Sequence, residues 1–324
     1  MPSRPADSDP HDPRDAGHRD DVMQERVRLV LESLSLKCTL RSEIRLNREQ
    51  PCDAEKGRAA VYLATAGQCS VGRAGKPPIP LVAGDFLCLT AGESHRLSPG
   101  APDHGSSDSD RRWSHAFDSW LHAEDPALGA RLIAGSARLP GDHTGATASI
   151  LPEIIYVSLR AAEGPIQRLA EAIAAQAREH APGSIVVLER LVETLLIEFA
   201  RRHVLAGGAG AGWMRGITDP EIGPILEVLL REPEKEWTVA SLAQAGGMSR
   251  STFARRFREA TGLAPMDLVV ELRMRRACQR MRNDAEDLKS IARDVGYGST
   301  AAFGVAFKRW SGKTPSDYRT ERSR

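Results

Sequence analysis

An internal repeat in the last third of the chain constrains its fold more than any other feature. Moving the final segment back by 50 positions aligns Phe303 with Phe253, Phe307 with Phe257, Lys308 with Arg258, Gly312 with Gly262 and Pro315 with Pro265. A fixed period that matches aromatic, basic and turn residues indicates two copies of one structural unit.

Each copy has the pattern of a helix, a tight turn and a second helix. In the first copy, "TVASLAQAGG" predicts the first helix, and Ser249 can cap the helix "RSTFARRFREA". In the second copy, "DLKSIARDV" precedes the turn "GYG", and Ser299 is the expected cap. One long helix over about 265–282 would separate the copies. The chain therefore predicts two helix–turn–helix units, whose second helices have the width of a DNA major groove.

The exposed face of each second helix supplies the candidate contacts to DNA. Arg255 in the first copy can hydrogen-bond a base edge, whereas Val305 at the equivalent place can only touch a thymine methyl. We expect the first helix to read bases and the second to contact mainly the phosphate backbone. The candidate DNA-binding residues are Arg250, Ser251, Thr252, Arg255, Arg258, Thr300, Lys308, Arg309 and Lys313.

The charge of the chain is divided unevenly between its two parts. Residues 236–324 carry 17 Lys and Arg against 10 Asp and Glu, although the whole chain has a net charge of only +1. A basic C-terminal module favours a nucleic-acid partner for that part. The alternative on charge alone is a solvated surface with no binding role.

The repeat region resembles the DNA-binding domain of AraC/XylS-family transcription regulators. The similar stretches are "MSRSTFARRFREATGLAP" and "IARDVGYGSTAAFGVAFKRWSGKTPSDYR", within about 236–319. The resemblance implies double-stranded DNA as the partner, a homodimer, and contact with RNA polymerase if the protein is an activator. It also implies a protein that is not an enzyme. The first twenty residues lack the apolar segment of a signal peptide, so we expect a cytoplasmic protein. The competing interpretation of this region is a helical bundle whose arginines are merely solvated.

The N-terminal part has the pattern of short strands broken by Gly-rich and Pro-rich turns. "AAVYLAT", "CSVGR", "IPLV" and "DFLCL" favour a small antiparallel barrel or sandwich. "GDFLCLTAGESH" resembles the second cupin motif, with Thr90 in place of its proline. The likeness extends to the cupin-type sensor domains of AraC-family activators that respond to reactive chlorine. The expected fold is α+β, with a cupin-like β-barrel, a helical dimerisation segment and an all-α C-terminal domain.

Composition and periodicity set the expected domain boundaries. Residues 1–21 are rich in Pro and Asp and predict a disordered tail. Residues 22–204 would form the cupin-like domain and a helical pair, 205–219 a linker with "LAGGAGAG", and 220–324 the DNA-binding domain. The second helix of the pair carries an apolar stripe, which would pack on the barrel or in a dimer: Leu188, Leu191, Leu195 and Phe199. No apolar run is long enough to predict a membrane span.

Three residues of the barrel are candidates for an effector or redox site: Cys38, Tyr62 and His95. His95 is either an effector contact or a hydrogen-bonded residue at a strand end. Because "AAVYLATAGQC" contains no His, His95 would be a lone metal ligand, so we expect neither a metal nor a cofactor. This disfavours a cupin enzyme, and a barrel that only dimerises remains a further alternative. The resembled oxidant sensors carry a second cysteine where this chain has Ala134, so their disulfide cannot form here.

Overall fold

The computed structural model describes residues 13–34, 36–52, 58–100, 130–138, 151–158, 163–179, 181–206, 212–281 and 286–322. The described residues divide into two compact units. One unit comprises those within Ser35–His203, which we call the sheet unit. The other combines those within Met1–Leu34 and Val204–Arg324, which we call the helical unit.

Two antiparallel sheets form most of the sheet unit. Its strands are β1 (Lys37–Leu46), β2 (Gln50–Cys52), β3 (Ala59–Ala66), β4 (Gln68–Arg73), β5 (Lys76–Val82), β6 (Asp85–Leu89), β7 (His95–Pro99), β8 (Ala130–Arg138) and β9 (Ile154–Ser158). The larger sheet has the order β1-β8-β3-β6-β9 and the smaller one β2-β7-β4-β5. The expected antiparallel architecture is therefore confirmed. The described strands make two sheets and not one closed barrel.

The sheet unit has an apolar core of aliphatic side chains. The core residues that are completely shielded from solvent include Leu46, Val71, Leu81, Leu87, Leu89, Leu97 and Leu132. Strand β6 is buried along its whole length, which fits the unbroken apolar run "FLCL". Burial of these side chains supplies the main driving force for folding of this unit.

Two helices follow the strands, α2 (Gly164–Arg178) and α3 (Ser184–Leu205). Glu189 and Glu193 of α3 accept hydrogen bonds from the amides of Leu40 and Cys38 in β1, both at 2.9 Å. The spacing of two carboxylates one helical turn apart matches the spacing of two alternate amides on the edge strand β1. Without the carboxylates, these edge amides would have no hydrogen-bond partner. Helix α3 therefore covers the edge of the larger sheet.

The apolar stripe predicted on α3 is only partly buried. Leu188 and Leu195 are buried within the chain itself, whereas Leu191 and Phe199 are half-buried. Ile185, Val186 and Val187 near the start of the helix are exposed, with Ile197 further along. The helix thus packs one face inside the sheet unit and presents a second apolar face to solvent.

The helical unit is built from short helices around a central one. They are α1 (Pro13–Leu34), a 3-10 helix (Gly212–Thr218), α4 (Gly223–Arg231), α5 (Val239–Ala245), α6 (Arg250–Thr261), α7 (Pro265–Arg280), α8 (Leu288–Asp294), α9 (Thr300–Ser311) and α10 (Pro315–Arg322). Helices α5 and α6 form the first helix–turn–helix unit, and α8 and α9 the second. Both predicted units and the long helix between them are present. No helix within the described ranges combines the length and apolar content of a membrane span.

The structure differs from the expected domain boundaries at both ends of the cupin-like region. Helix α1 begins at Pro13, inside the expected disordered tail, and groups with the helical unit. Val27, Val30 and Leu34 on one face of α1 are buried, and Arg26 pairs with Glu227 of α4 at 3.2 Å. These apolar residues recur every three or four positions but lie after the expected tail, within the segment assigned to the cupin-like domain, so the composition of residues 1–21 gave no sign of the helix.

The expected linker is also partly ordered. Residues 212–218 form the 3-10 helix, and Trp213, Met214 and Ile217 are buried within the helical unit. The glycines of "LAGGAGAG" predicted a flexible connection. The large apolar side chains that follow are instead buried in the helical unit. The C-terminal part of the helical unit therefore begins before residue 220.

Candidate nucleic-acid interface

The first helix–turn–helix unit is fixed by caps at both helices. Thr238 and Ser241 form a reciprocal capping box at the start of α5. Ser249 begins α6 by accepting a hydrogen bond from the amide of Thr252 at 3.2 Å. In the turn between them, Gly247 has a φ of 63°, which a residue with a side chain rarely adopts. These contacts fix where the second helix starts.

The second unit repeats this geometry with other residues. Asp287 caps α8, and Ser299 caps α9 by accepting from the amide of Ala302 at 3.1 Å. The amide of Tyr297 donates to the carbonyl of Ala292 at 2.9 Å, as the amide of Met248 donates to Ala243 in the first unit. The two turns therefore begin alike, but the second has one more residue, Gly298, before its serine cap. Both caps expected from sequence are present.

Aromatic pairs hold the inner face of each second helix. Phe253 and Phe257 in α6, and Phe303 and Phe307 in α9, are completely buried. The rings of each pair lie about 5.4–5.5 Å apart, centroid to centroid, in tilted or edge-on contact. With the inner face fixed in this way, the opposite face of each helix is exposed to solvent.

The exposed face of α6 is polar and basic. Arg250, Ser251, Arg255 and Arg258 are exposed, and Thr252 is half-buried. Four of the candidate side chains thus lie on the solvent side of the helix, within reach of a docked duplex. The start of the helix carries short hydroxyl groups and its middle a guanidinium, which are the donors that read base edges in the major groove.

Arg255 already has a partner that sequence reasoning missed. Its guanidinium contacts both carboxylate oxygens of Glu259, at 2.8 and 2.9 Å, and both side chains are mainly exposed. An exposed pair at this spacing is worth about 0.3–0.5 kcal/mol. A bidentate Arg–guanine contact is worth about 1–3 kcal/mol, so guanine can displace Glu259 from Arg255. The four-residue spacing of Arg and Glu was the signal for this pair.

The exposed face of α9 has a different chemistry. Thr300 is exposed at its start, and Val305 at its middle is 72% exposed. Lys308, Arg309 and Lys313 are exposed at its end and in the following turn. Two of these three cations have no equivalent in the first unit, where Glu259 and Leu263 occupy the positions of Arg309 and Lys313.

The 3-10 helix anchors the C-terminal end of α6. The Arg215 guanidinium donates to the carbonyls of Glu259 and Ala260, at 2.7 and 2.8 Å. The final carbonyls of a helix have no partner within the helix, and a cation there also interacts favourably with the helix dipole. Arg215 is thus a positioning residue for α6, and its position in the expected linker gave no sign of this role.

Arg273 of α7 ties the two helix–turn–helix units to one another. Its guanidinium donates to the carbonyls of Pro233 and Lys235, both at 2.7 Å, before α5, and to the carbonyl of Gly296 at 3.1 Å in the second turn. Gly296 has a φ of 85°, and an added Cβ would lie 2.4 Å from the carbonyl oxygen of Glu234. One partly buried network of carbonyls, held by Arg273, thus links the segment before the first unit to the turn of the second.

Two of the candidate effector residues form a pair inside the sheet unit. The hydroxyl of Tyr62 lies 2.5 Å from Nε2 of His95, and Nδ1 of His95 lies 2.8 Å from the carbonyl oxygen of Glu93. A carbonyl only accepts, so Nδ1 carries the proton and Nε2 accepts from Tyr62. Both side chains are buried, and burial raises the pKa of Tyr62 well above its usual value. His95 lies at the first position of β7 with both ring nitrogens hydrogen-bonded.

Cys38, the third candidate, is buried beneath α3. Burial, together with the nearby carboxylates of Glu193 and Glu189, raises the pKa of its thiol to about 12. Oxidants and alkylating agents react with the thiolate form of a cysteine. Because the pKa of Cys38 is raised, only a very small fraction of its thiol is ionised at neutral pH. All five cysteines lie in described residues, and none of them forms a disulfide there. Within the described ranges, no three His, Cys, Asp or Glu side chains are arranged to hold a metal ion.

Comparison with known proteins identifies both parts of the chain. A helix-turn-helix domain model matches residues 242–321, and a cupin domain model matches residues 25–205. A protein of Streptomyces antibioticus described as an AraC-like transcription regulator is 33% identical over 250 residues, which cover 75% of this chain and 80% of that protein. This match and the cupin model each span more than half of the chain.

Further proteins are similar over a smaller share of the chain. RclR of Escherichia coli strain K12, an RCS-specific HTH-type transcriptional activator, is 30% identical over 144 residues, or 44% of this chain and 51% of RclR. The crystal structure of the DNA-binding domain of AdpA with a target DNA is 29% identical, covering 31% of this chain and 91% of that domain, at a TM-score of 0.30. From the two domain models and the Streptomyces relative, the chain belongs to the AraC-like family of transcription regulators, with a cupin domain ahead of its helix–turn–helix domain.

Proposed function

We propose that the two recognition helices divide the work of DNA binding, with α6 reading bases and α9 holding the phosphate backbone. The observation that carries this proposal is the exchange of Arg255 for Val305 at the equivalent exposed positions of the two helices. Arg250, Ser251, Thr252 and Arg258 would support the contacts of α6. Thr300, Lys308, Arg309 and Lys313 would supply those of α9.

The salt dependence of DNA binding tests the anchoring role of α9. A binding site is first selected from a random duplex pool with the full chain. Lys308→Ala should then weaken binding to all sequences alike and make the slope of log K against log salt shallower by about 0.9, the value for one phosphate contact. Lys76→Ala, the same charge change on the sheet unit, is the matched control and should leave the slope unchanged. An unchanged slope for Lys308→Ala would contradict the anchoring role.

We infer that the protein forms a homodimer through the exposed apolar face of α3. The supporting observation is the exposed run of Ile185, Val186 and Val187 at one end of the helix, with Ile197 further along. Val186→Asp should therefore give monomers by sedimentation at micromolar concentration. Glu189→Gln, which changes the nearby α3 carboxylate that accepts from the Leu40 amide of β1, is the control and should leave the dimer intact. Leu195 is buried within the subunit, so its replacement would disturb folding and is not a test of assembly. A monomeric wild-type protein would overturn this inference.

The sheet unit has two candidate roles, effector binding and dimerisation alone. The Tyr62–His95 pair within a leucine-rich core supports a polar effector contact. The dense packing of that core supports a unit that only dimerises. Transcription of a selected promoter by RNA polymerase, with and without each candidate effector, separates the roles. Tyr62→Phe should abolish a response that uses the pair, and should change nothing if the unit only dimerises.

We propose that Cys38 is not an oxidant sensor in this chain, because its buried thiol stays protonated. Iodoacetamide at pH 8 should label the half-buried Cys52 and Cys278 of the native full chain before Cys38. Rapid labelling of Cys38 would contradict this proposal. As a regulator of this family, the protein would act in the cytoplasm and would contact RNA polymerase if it is an activator.

A further inference from the structure

A cleft of about 490 Å³ lies within the helical unit, between α1, the end of α4 and α7. Leu29, Leu230 and Leu272 contribute apolar side chains to its wall, one from each of these helices. Arg275 of α7 also lies in the wall. The cleft is separate from the exposed faces of α6 and α9, so DNA readout does not account for it.

Arg275 is the unusual residue of this cleft. Its side chain is 8% exposed, and its Nε donates to Oε1 of Glu271 at 2.6 Å. The other oxygen of Glu271 accepts from Nε1 of Trp310 at 2.6 Å, so this carboxylate has both oxygens engaged. Nη1 and Nη2 of Arg275 are buried and have no hydrogen-bond partner in the described part of the chain. Buried guanidinium donors are normally paired, so the outer edge of Arg275 is matched to a group that the chain itself does not provide.

The other charged groups in the wall are already paired. Arg231 contacts Glu25 at 2.6 Å, and Arg276 contacts Glu234 at 2.7 Å. Two carboxylates in the same wall are paired as well: Glu32 with Arg28, and Glu232 with Lys235, both at 2.6 Å. An anion in the cleft would therefore meet one uncommitted guanidinium edge and two nearby carboxylates. This balance favours a single negative charge over a phosphate dianion.

We propose that this cleft binds a small organic monocarboxylate, whose two oxygens pair with Nη1 and Nη2 of Arg275. The planar outer edge of a guanidinium matches a carboxylate with two parallel hydrogen bonds. The apolar body of the ligand would lie against Leu29, Leu230 and Leu272. Nε of Arg275 stays bonded to Glu271, and its Cζ lies 6.0 Å from the centroid of the Trp213 ring, so Nη1 and Nη2 are the donors that remain for an entering carboxylate.

Calorimetric titration of the full chain tests the site without reference to DNA binding. The probes are cyclohexanecarboxylate, its uncharged analogue cyclohexanecarboxamide, and inorganic phosphate. The carboxylate should bind at least about tenfold more tightly than the amide or phosphate, because charge-assisted bidentate pairing requires the carboxylate. Arg275→Lys keeps the charge but loses the fork, and should weaken carboxylate binding by about tenfold or more. Arg276→Lys is the matched control in the same wall and should bind like the wild type.

A second variant locates the site even if Arg275→Lys fails to fold. Ser33→Phe adds bulk to the α1 side of the cleft without altering Arg275, and should abolish carboxylate binding. Thermal melting of each variant reports whether it is folded. The proposal is overturned if the wild type shows no binding at millimolar carboxylate, if the amide binds equally well, or if Ser33→Phe binds like the wild type. These outcomes leave the assignment of the DNA-reading helices unaffected, because no DNA is present.

Discussion

The two recognition helices share one interior and differ in their outer faces. Each begins with a serine cap, buries two phenylalanines and ends at a left-handed glycine, with φ of 78° at Gly262 and 76° at Gly312. Near the end of each helix, the hydroxyl of Thr261 or Ser311 donates to the carbonyl of the second phenylalanine, at 2.6 and 2.9 Å. The repeat has therefore kept the serine cap, the buried phenylalanines, the terminal hydroxyl contact and the left-handed glycine, whereas the Arg215 anchor belongs to the first helix.

The outer faces have diverged in a consistent direction. From the first helix to the second, Arg255 becomes Val305 and Glu259 becomes Arg309. The second helix lacks the guanidinium that we propose reads a base, and it carries additional positive charge near its end. A fixed scaffold thus allows one copy to specify sequence and the other to supply affinity, since base contacts and phosphate contacts need different side chains.

The largest expected effects test whether the interiors are equivalent. Phe257→Ala and Phe307→Ala each remove a fully buried ring, so each should lower the free energy of unfolding by about 3–5 kcal/mol. Urea denaturation of the two variants measures both losses. Ala306→Gly at a half-buried position of α9 serves as a smaller helix perturbation, expected to cost about 1 kcal/mol. A loss at one phenylalanine but not at the other would show that the two scaffolds are not equivalent.

The next prediction concerns Arg273, whose hydrogen bonds connect the two helix–turn–helix units. Arg273→Met removes the charged donor from the carbonyls of Pro233, Lys235 and Gly296 and leaves them unpaired, which should cost about 2–3 kcal/mol of unfolding free energy. Affinity for a selected site that spans both helices should fall more than affinity for half of that site.

Arg276→Met is the matched control for Arg273→Met. Arg276 is three residues further along α7 and makes a partly exposed pair with Glu234, so its removal should cost at most about 1 kcal/mol. Equal losses for Arg273→Met and Arg276→Met would mean that the carbonyl network does not set the spacing of the units.

Sequence reasoning succeeded where local patterns carry the information. The caps Ser249 and Ser299, the buried phenylalanines and the turn glycines lie at their expected places because each depends on neighbours within about four residues. Helix α1 and the 3-10 helix were missed because composition outweighed their apolar residues. Arg215 and Arg273 were missed for another reason. Their partners are backbone carbonyls more than twenty residues away, which no local pattern reports.

The smallest effect tests the competition around Arg255. Glu259→Gln removes the carboxylate that holds Arg255 in the free protein, and should strengthen binding to the selected site by about twofold, equivalent to about 0.4 kcal/mol. Fluorescence anisotropy at one fixed salt concentration measures the change. Glu321→Gln, the same charge change on α10, is the control for general electrostatics. An equal gain in both variants would show that the effect is one of net charge alone.

The central claim is that α6 reads bases and α9 does not, and a specificity matrix tests it most directly. Arg255→Ala, Val305→Ala and the wild type are titrated, at one salt concentration, against the selected duplex and each of its single-base variants. Arg255→Ala should lose about 1–3 kcal/mol on the selected site and lose its preference at one base pair. Val305→Ala should lose less and keep the preference of the wild type at every position that α6 reads. A uniform loss on all duplexes for Arg255→Ala, or a larger loss of base preference for Val305→Ala, would contradict the division of roles between the two helices.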